Sequence, residues 1–152
     1  MRVSKAFPII LLGLFVTAPC WAQSSLSNAF MNVSVNSKTG TWSCSRKDGA
    51  PIFQNGTSTV VTTAGVMKTT DERLRREMQE SPFQDALGSG KQIVLSLSER
   101  PSGLKWQVAI KAYDQFAGLR IDWHLDNSTR STLGLKAVTM LEADAQIGRA
   151  HV

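Results

Sequence analysis

Two carboxylates and an imidazole occur at alternate positions near residue 124. Asp122, His124 and Asp126 would project from one side of a single strand, because successive side chains of a strand point to opposite faces. Such a set could bind a metal ion or transfer a proton. A solvated or hydrogen-bonded strand face is the commoner use of these residue types, so we expect no metal, cofactor or catalytic residue here.

Aromatic side chains offer a second kind of chemistry, because aromatic rings can stack on sugar rings. Trp42, Trp106 and Trp123 alternate with aliphatic or small side chains on the apolar side of predicted strands, which predicts a place in the core. Tyr113 and Phe116 fall at the tip of a predicted hairpin, and we expect them to be the more exposed aromatics. They are the predicted carbohydrate contacts.

Other motifs are weaker. Gly88–Lys91 superficially resembles a phosphate-binding loop but lacks its spacing, and a strand follows where a helix should begin. Arg73, Arg75 and Arg76 could hold an anion, yet neighbouring acids balance them, which favours a solvated charged face. The sequence contains no Ser-centred elbow and no zinc-protease run.

Three runs with apolar residues at every second position predict the sheet that positions the candidate residues. They are residues 93–97, 104–112 and 119–125, separated by Pro- and Gly-containing segments that favour chain reversal. The spacing predicts a β-meander of two consecutive hairpins. A further run at 132–141 predicts a fourth strand.

An earlier group of strands is predicted between residues 28 and 66. Its turns are expected at 36–40, at Asp48-Gly49 and at Asn55-Gly56, and the last strand at 57–66. We expect this group to pack face to face on the meander, which gives an all-β, antiparallel β-sandwich. Residues 68–80, with Leu74 and Met78 four apart, predict a short helix or a surface loop.

The N-terminus has the features of a secretory signal. Residues 1–22 combine a basic start, an apolar stretch and a small-residue site that ends at Ala22. We expect cleavage after Ala22 and a secreted or periplasmic protein that is not in the membrane afterwards. Cys44 would then be the single cysteine, expected to be buried and inert.

The net charge is too small and too mixed to indicate nucleic-acid binding. It falls from +5 by the two charges of Arg2 and Lys5 to +3 in the cleaved chain. Residues 23–142 are expected to form one domain. Residues 143–152 are expected to be an irregular tail, either non-native sequence after a truncation or a frayed natural terminus.

The turns carry a resemblance to a known family. The run Ser37–Ser43, the Asp48-Gly49 pair, the run Asp85–Lys91, the Ala112–Asp114 segment and the Asp126–Thr129 segment together resemble the N-terminal β-supersandwich of family 36 glycoside hydrolases, the α-galactosidase and raffinose-synthase group. The similarity covers residues 27 to 142 and consists of strand and turn residues. Related supersandwich domains precede other glycosidase barrels as well.

The resemblance implies a context rather than an active site. The family uses two Asp residues on a (β/α)₈ barrel that follows this domain and needs about 250 further residues. We therefore expect a non-catalytic N-terminal domain of a secreted α-galactosidase-like hydrolase, whose partners are that barrel, a carbohydrate ligand and, as a further option, a second copy of the chain. The alternative is a complete, small, secreted carbohydrate-binding module.

Overall fold

The computed structural model describes residues 23–99, 104–128 and 131–145, and these residues form ten β-strands. The strands are β1 (Gln23–Ser27), β2 (Met31–Asn36), β3 (Thr41–Arg46), β4 (Pro51–Thr62), β5 (Gly65–Lys68), β6 (Leu74–Asp85), β7 (Gly88–Glu99), β8 (Leu104–Tyr113), β9 (Leu119–Asn127) and β10 (Leu135–Ala145). Every pair of neighbouring strands is antiparallel. The predicted all-β, antiparallel class is confirmed.

The strands form two sheets that pack as a sandwich. The first sheet has the order β1-β2-β3-β4-β10, with β5 paired to the end of β4, and the second has the order β6-β7-β8-β9. The predicted meander corresponds to β7, β8 and β9, and it is confirmed. In the part of the chain that the structure describes, no helix is long and apolar enough to span a bilayer.

The core lies between the sheets and follows from the alternation of side chains. Burial alternates along β2, β3 and β8, because one face of each strand points to the opposite sheet. Trp42 and Trp106 are 1% and 2% exposed, as predicted. Cys44 is buried beside Met31, and burial raises the pKa of its thiol.

The predicted helix or loop at 68–80 is wrong for most of its length. Leu74–Asp85 is strand β6, and each of its residues pairs with one of β7 in an uninterrupted ladder. A separation of four places Leu74 and Met78 on one face of a strand as well as of a helix. The cross-strand ladder decides between the two, since this charged segment has little apolar surface of its own.

The predicted hairpin at Asn55-Gly56 is also wrong. Both residues lie within the single strand β4, and Asn55 has a φ of 53°. The pairing of β4 with β3 shifts register there, between Trp42↔Gly56 and Cys44↔Phe53, so Gln54 and Asn55 together oppose Ser43 and form a bulge. Strand β10 pairs with β4 on both sides of this bulge, so β4 continues through it.

The ends of the domain differ from the prediction. β1 precedes the predicted strands of residues 28–66, and it pairs with β2 and buries Leu26. β10 is the predicted fourth strand, yet it joins the first sheet beside β4 and continues to Ala145, three residues past the expected boundary. The predicted signal at 1–22 and the last seven residues of the predicted tail lie outside the described residues.

One edge of the sandwich is only half covered. Four cross-strand pairs face the core from β8 and β9: Trp106↔Leu125, Val108↔Trp123, Ile110↔Ile121 and Ala112↔Leu119. The β8 member of each pair is at most 3% exposed, whereas the β9 member is only partly buried. The apolar row of β9 therefore extends beyond the cover that the first sheet provides.

Candidate functional site

The two predicted carbohydrate contacts, Tyr113 and Phe116, lie together at the β8–β9 hairpin. Their rings stack with centroids 4.7 Å apart and planes inclined by 20°. Phe116 is 40% exposed, as predicted, but Tyr113 is only 1% exposed. The predicted exposure of Tyr113 is wrong, because Phe116 stacks on its ring and Phe83 packs edge-on with centroids 5.1 Å apart.

Polar contacts fix Tyr113 in this position. Its hydroxyl group donates a hydrogen bond to Asp85 Oδ2 at 2.9 Å, and its carbonyl oxygen accepts one from Asn28 Nδ2 at 2.6 Å. The side-chain oxygen of Asn28 accepts hydrogen bonds from the backbone N–H groups of Phe30 and Met31, each at 2.8 Å. Asn28 thereby joins the β1–β2 turn of one sheet to the end of β8 in the other.

Four charged side chains surround the Tyr113 hydroxyl group. Lys111 Nζ lies 2.7 Å from Asp122 and 4.0 Å from Asp85, while Arg120 lies 2.6 Å from Asp122 and 3.4 Å from Asp85. The Lys111 ammonium also lies 5.1 Å from the centroid of the Phe83 ring, over its face. Two cations and two anions balance, so the cluster has no net charge.

Both carboxylates of this cluster have lowered pKa values. Burial alone would raise the pKa of Asp85, but hydrogen bonds from the Leu87 N–H and the Tyr113 hydroxyl, with the nearby cations, outweigh it. Burial would also raise the pKa of Asp122, but hydrogen bonds from Lys111 and Arg120 outweigh it, so the pKa is lowered. Neither residue is suited to donate a proton near neutral pH.

The predicted row of Asp122, His124 and Asp126 lies along the outer face of β9. Asp122 is held by its two cations, while His124 is exposed opposite Gln107 of β8, and Asp126 is exposed opposite Lys105. Within residues 23–99, 104–128 and 131–145, no group of three or more His, Cys, Asp or Glu residues is arranged to hold a metal ion. The row is part of an ion-paired strand face.

The three arginines that could have held an anion, Arg73, Arg75 and Arg76, are engaged within the chain. Arg73 pairs with Asp71 at 2.6 Å, and Arg75 pairs with Glu77 at 2.8 Å. Arg76 donates a hydrogen bond to the carbonyl oxygen of Thr69 at 2.8 Å. The favoured reading of this segment as a charged surface agrees with these contacts.

A shallow groove of about 510 Å³ opens beside Ala117, the residue that follows Phe116, where turns of both sheets meet. Its lining comes from residues 29–31, residues 46–48, Ile52 and Ala117. Phe30 and Ile52 are 40% and 41% exposed, so part of the groove lining is apolar and accessible. Another part of the lining is charged: Arg46 and Lys47 are hydrogen-bond donors and Asp48 is an acceptor. A binding site for a small polar molecule needs both apolar and polar groups.

Sequence reasoning missed Phe30 and the role of Gly118. Phe30 lies in the turn between β1 and β2, two residues after Asn28. The sequence signal that could have identified it is an aromatic residue close to a turn-forming Asn. A Cβ atom on Gly118 would lie 2.0 Å from Cε2 of Phe116, so the Phe116 ring folds back over this glycine. Only the three-dimensional path of the hairpin shows that contact.

Comparisons with known proteins leave the family open. No protein-family model matches the sequence, and neither the curated proteins nor the solved structures include a significant match.

Proposed function

We propose that this chain is the non-catalytic, carbohydrate-contacting β-sandwich of an exported α-galactosidase-like glycoside hydrolase. The observation that carries the proposal is the groove beside Phe116, where an exposed Phe30 ring adjoins Arg46, Lys47 and Asp48. A sugar presents C–H faces and hydroxyl edges, which suit aromatic rings and charged hydrogen-bonding groups respectively. The resemblance of the turns to the family 36 supersandwich supports the enzyme context.

The electrostatics of the neighbouring cluster support a non-catalytic role. A retaining glycosidase needs one carboxylic acid with a raised pKa and a second, ionised carboxylate. Asp85 and Asp122 both have lowered pKa values because cations and hydrogen bonds stabilise their charged forms. They act here as fixed anions that hold Lys111, Arg120 and Tyr113 in place.

Calorimetric titration with melibiose or raffinose tests the binding part. We expect weak binding, with a Kd of about 1 mM, which corresponds to about 4 kcal/mol. Phe30→Ala should weaken it several-fold, because it removes a ring that lines the groove, and Phe116→Ala should weaken it less, because Phe116 precedes the lining residue Ala117. Val66→Ala is the matched control, since Val66 is 57% exposed and lies at the opposite end of the sandwich. An unchanged affinity in both Phe variants would contradict the proposal.

Hydrolysis of a nitrophenyl α-galactoside tests the non-catalytic part. The purified chain should release no nitrophenol above the buffer rate, and measurable release would overturn this assignment. The alternative, a self-contained carbohydrate-binding module, is favoured by the same groove. A self-contained module should bind sugar alone with a micromolar Kd. The N-terminal domain of a larger hydrolase should bind it alone with only a millimolar Kd.

A further inference from the structure

Strand β9 forms one edge of the second sheet in the part of the chain that the structure describes, and its pairing with β8 contains no bulge. Among the described residues it pairs with β8 alone, and its inward apolar row is half covered. The opposite edge, β6, contains Pro82, which has no backbone N–H to donate. The sequence of β9 contains neither Pro nor Lys, the residues that commonly block edge pairing.

We propose that two copies of this chain associate through antiparallel pairing of their β9 edges, with Trp123 at the two-fold axis. Residues directly opposite each other in an antiparallel pair lie on the same face of the sheet. A two-fold axis perpendicular to the sheet therefore passes beside one residue and joins the inner faces of both copies. Centring on Trp123 uses all nine residues of β9.

The charges on the outer face of β9 select this register. Centring on Trp123 places Arg120 opposite Asp126 of the second copy, and Asp122 opposite His124 of the second copy. Both contacts occur twice, and the first joins opposite full charges. On the inner face, Ile121 meets Leu125 of the second copy, and the two Trp123 rings meet each other.

Neighbouring registers lack this complementarity. If the axis passes beside Asp122, the Asp122 carboxylates of the two copies lie opposite each other. If it passes beside His124, Asp122 lies opposite Asp126 of the second copy. Like charges directly opposite each other destabilise a strand pair. No residue of β9 lines the carbohydrate groove, but Arg120 of the dimer edge also pairs with Asp85 and Asp122 beside Tyr113.

Sedimentation equilibrium of charge variants tests the proposal. The unsubstituted chain should show a monomer–dimer equilibrium, and Asp126→Arg should raise the dimer Kd about tenfold by setting Arg against Arg twice. Asp126→Glu keeps the negative charge opposite Arg120 of the second copy and should dimerise like the unsubstituted chain. Glu77→Arg, on the β6 edge, is the matched control and should leave the Kd unchanged.

A disulfide between copies tests the register. Trp123→Cys should cross-link two chains under oxidation, because opposite Cα atoms in an antiparallel pair are about 4.5–5.5 Å apart and a disulfide spans that distance. His124→Cys should not, because its sulfur faces residue 122 of the second copy. The unsubstituted chain measures any background from Cys44. A chain that stays monomeric at high concentration, or cross-links equally at both positions, would overturn the proposal. So would a Kd that Asp126→Arg leaves unchanged.

Discussion

The Tyr113 hydroxyl group donates a hydrogen bond to Asp85 across an intervening strand, at 2.9 Å. Tyr113 ends β8 and Asp85 ends β6, while β7 runs between them. Gly90 of β7 lies directly opposite both Phe83 and Tyr113, so no side chain separates their rings. A glycine on the middle strand thus allows the aromatic stack that supports the candidate groove.

Tyr113→Phe should lower the free energy of unfolding by about 1 kcal/mol, which is typical of a lost hydrogen bond. The ring and its stack on Phe116 remain, so the groove and the sugar affinity should be preserved. Urea unfolding measures the stability, and the same titration as above measures the affinity. A fully stable variant would show that the hydroxyl contributes nothing to the fold.

Acid should remove part of the stability through Asp71. Hydrogen bonds from the Arg73 side chain and backbone lower the Asp71 pKa from 3.8 to about 2 in the folded chain. The stabilisation is therefore present above pH 4 and is lost as the pH falls from about 4 to 2. Asp71→Asn should cost about 1 kcal/mol at pH 7 and give a shallower decline in that range. Parallel pH curves for the two proteins would contradict this.

Truncating Ile110 of β8 and its partner Ile121 of β9 should show that β8 is more deeply buried than β9. Ile110→Ala should cost about 2–5 kcal/mol, the usual range for a fully buried isoleucine. Ile121 is its cross-strand partner on β9 and is only partly buried, so Ile121→Ala should cost less than half as much. Urea unfolding at a concentration where the chain is monomeric compares the two. Equal costs would show that β9 is fully covered in solution.

Gly118→Ala should move the Phe116 ring, because the new Cβ would lie 2.0 Å from a ring carbon in the present arrangement. We expect a several-fold loss of sugar affinity with a smaller effect on stability, since Phe116 is at the surface. A Gly65→Ala variant controls for glycine loss away from the groove: a Cβ there would contact nothing within 4 Å, and its φ of 141° confines the cost to backbone strain. An unchanged sugar affinity in Gly118→Ala would show that the position of the Phe116 ring does not affect sugar binding.

The sequence predicts the fold wherever one face of a strand is clearly apolar. Alternation in β7, β8 and β9 identifies these strands, because each has one apolar row, which is buried in β7 and β8 and partly buried in β9. It fails for β6, whose inward positions include Arg76, a side chain that hydrogen-bonds to backbone carbonyl groups. Local pattern carries little signal where a strand is held mainly by backbone pairing.

The candidate site is less predictable than the fold. The hairpin tip correctly indicates an exposed Phe116, but the burial of Tyr113 depends on Phe83, thirty positions earlier. Phe30 reaches the same end of the sandwich because Asn28 bonds to the carbonyl of Tyr113. Contacts between residues this far apart arise from strand order and register, which a single sequence pattern does not encode.

Nuclear magnetic resonance of the labelled chain with melibiose tests the central claim most directly, because chemical shifts detect millimolar binding residue by residue. The proposal predicts saturable shifts at Phe30, Lys47, Phe116 and Ala117, around the groove, and none at Val66. An absence of shifts up to tens of millimolar sugar, or saturable shifts confined to another surface, would contradict the assignment of this end of the sandwich to carbohydrate.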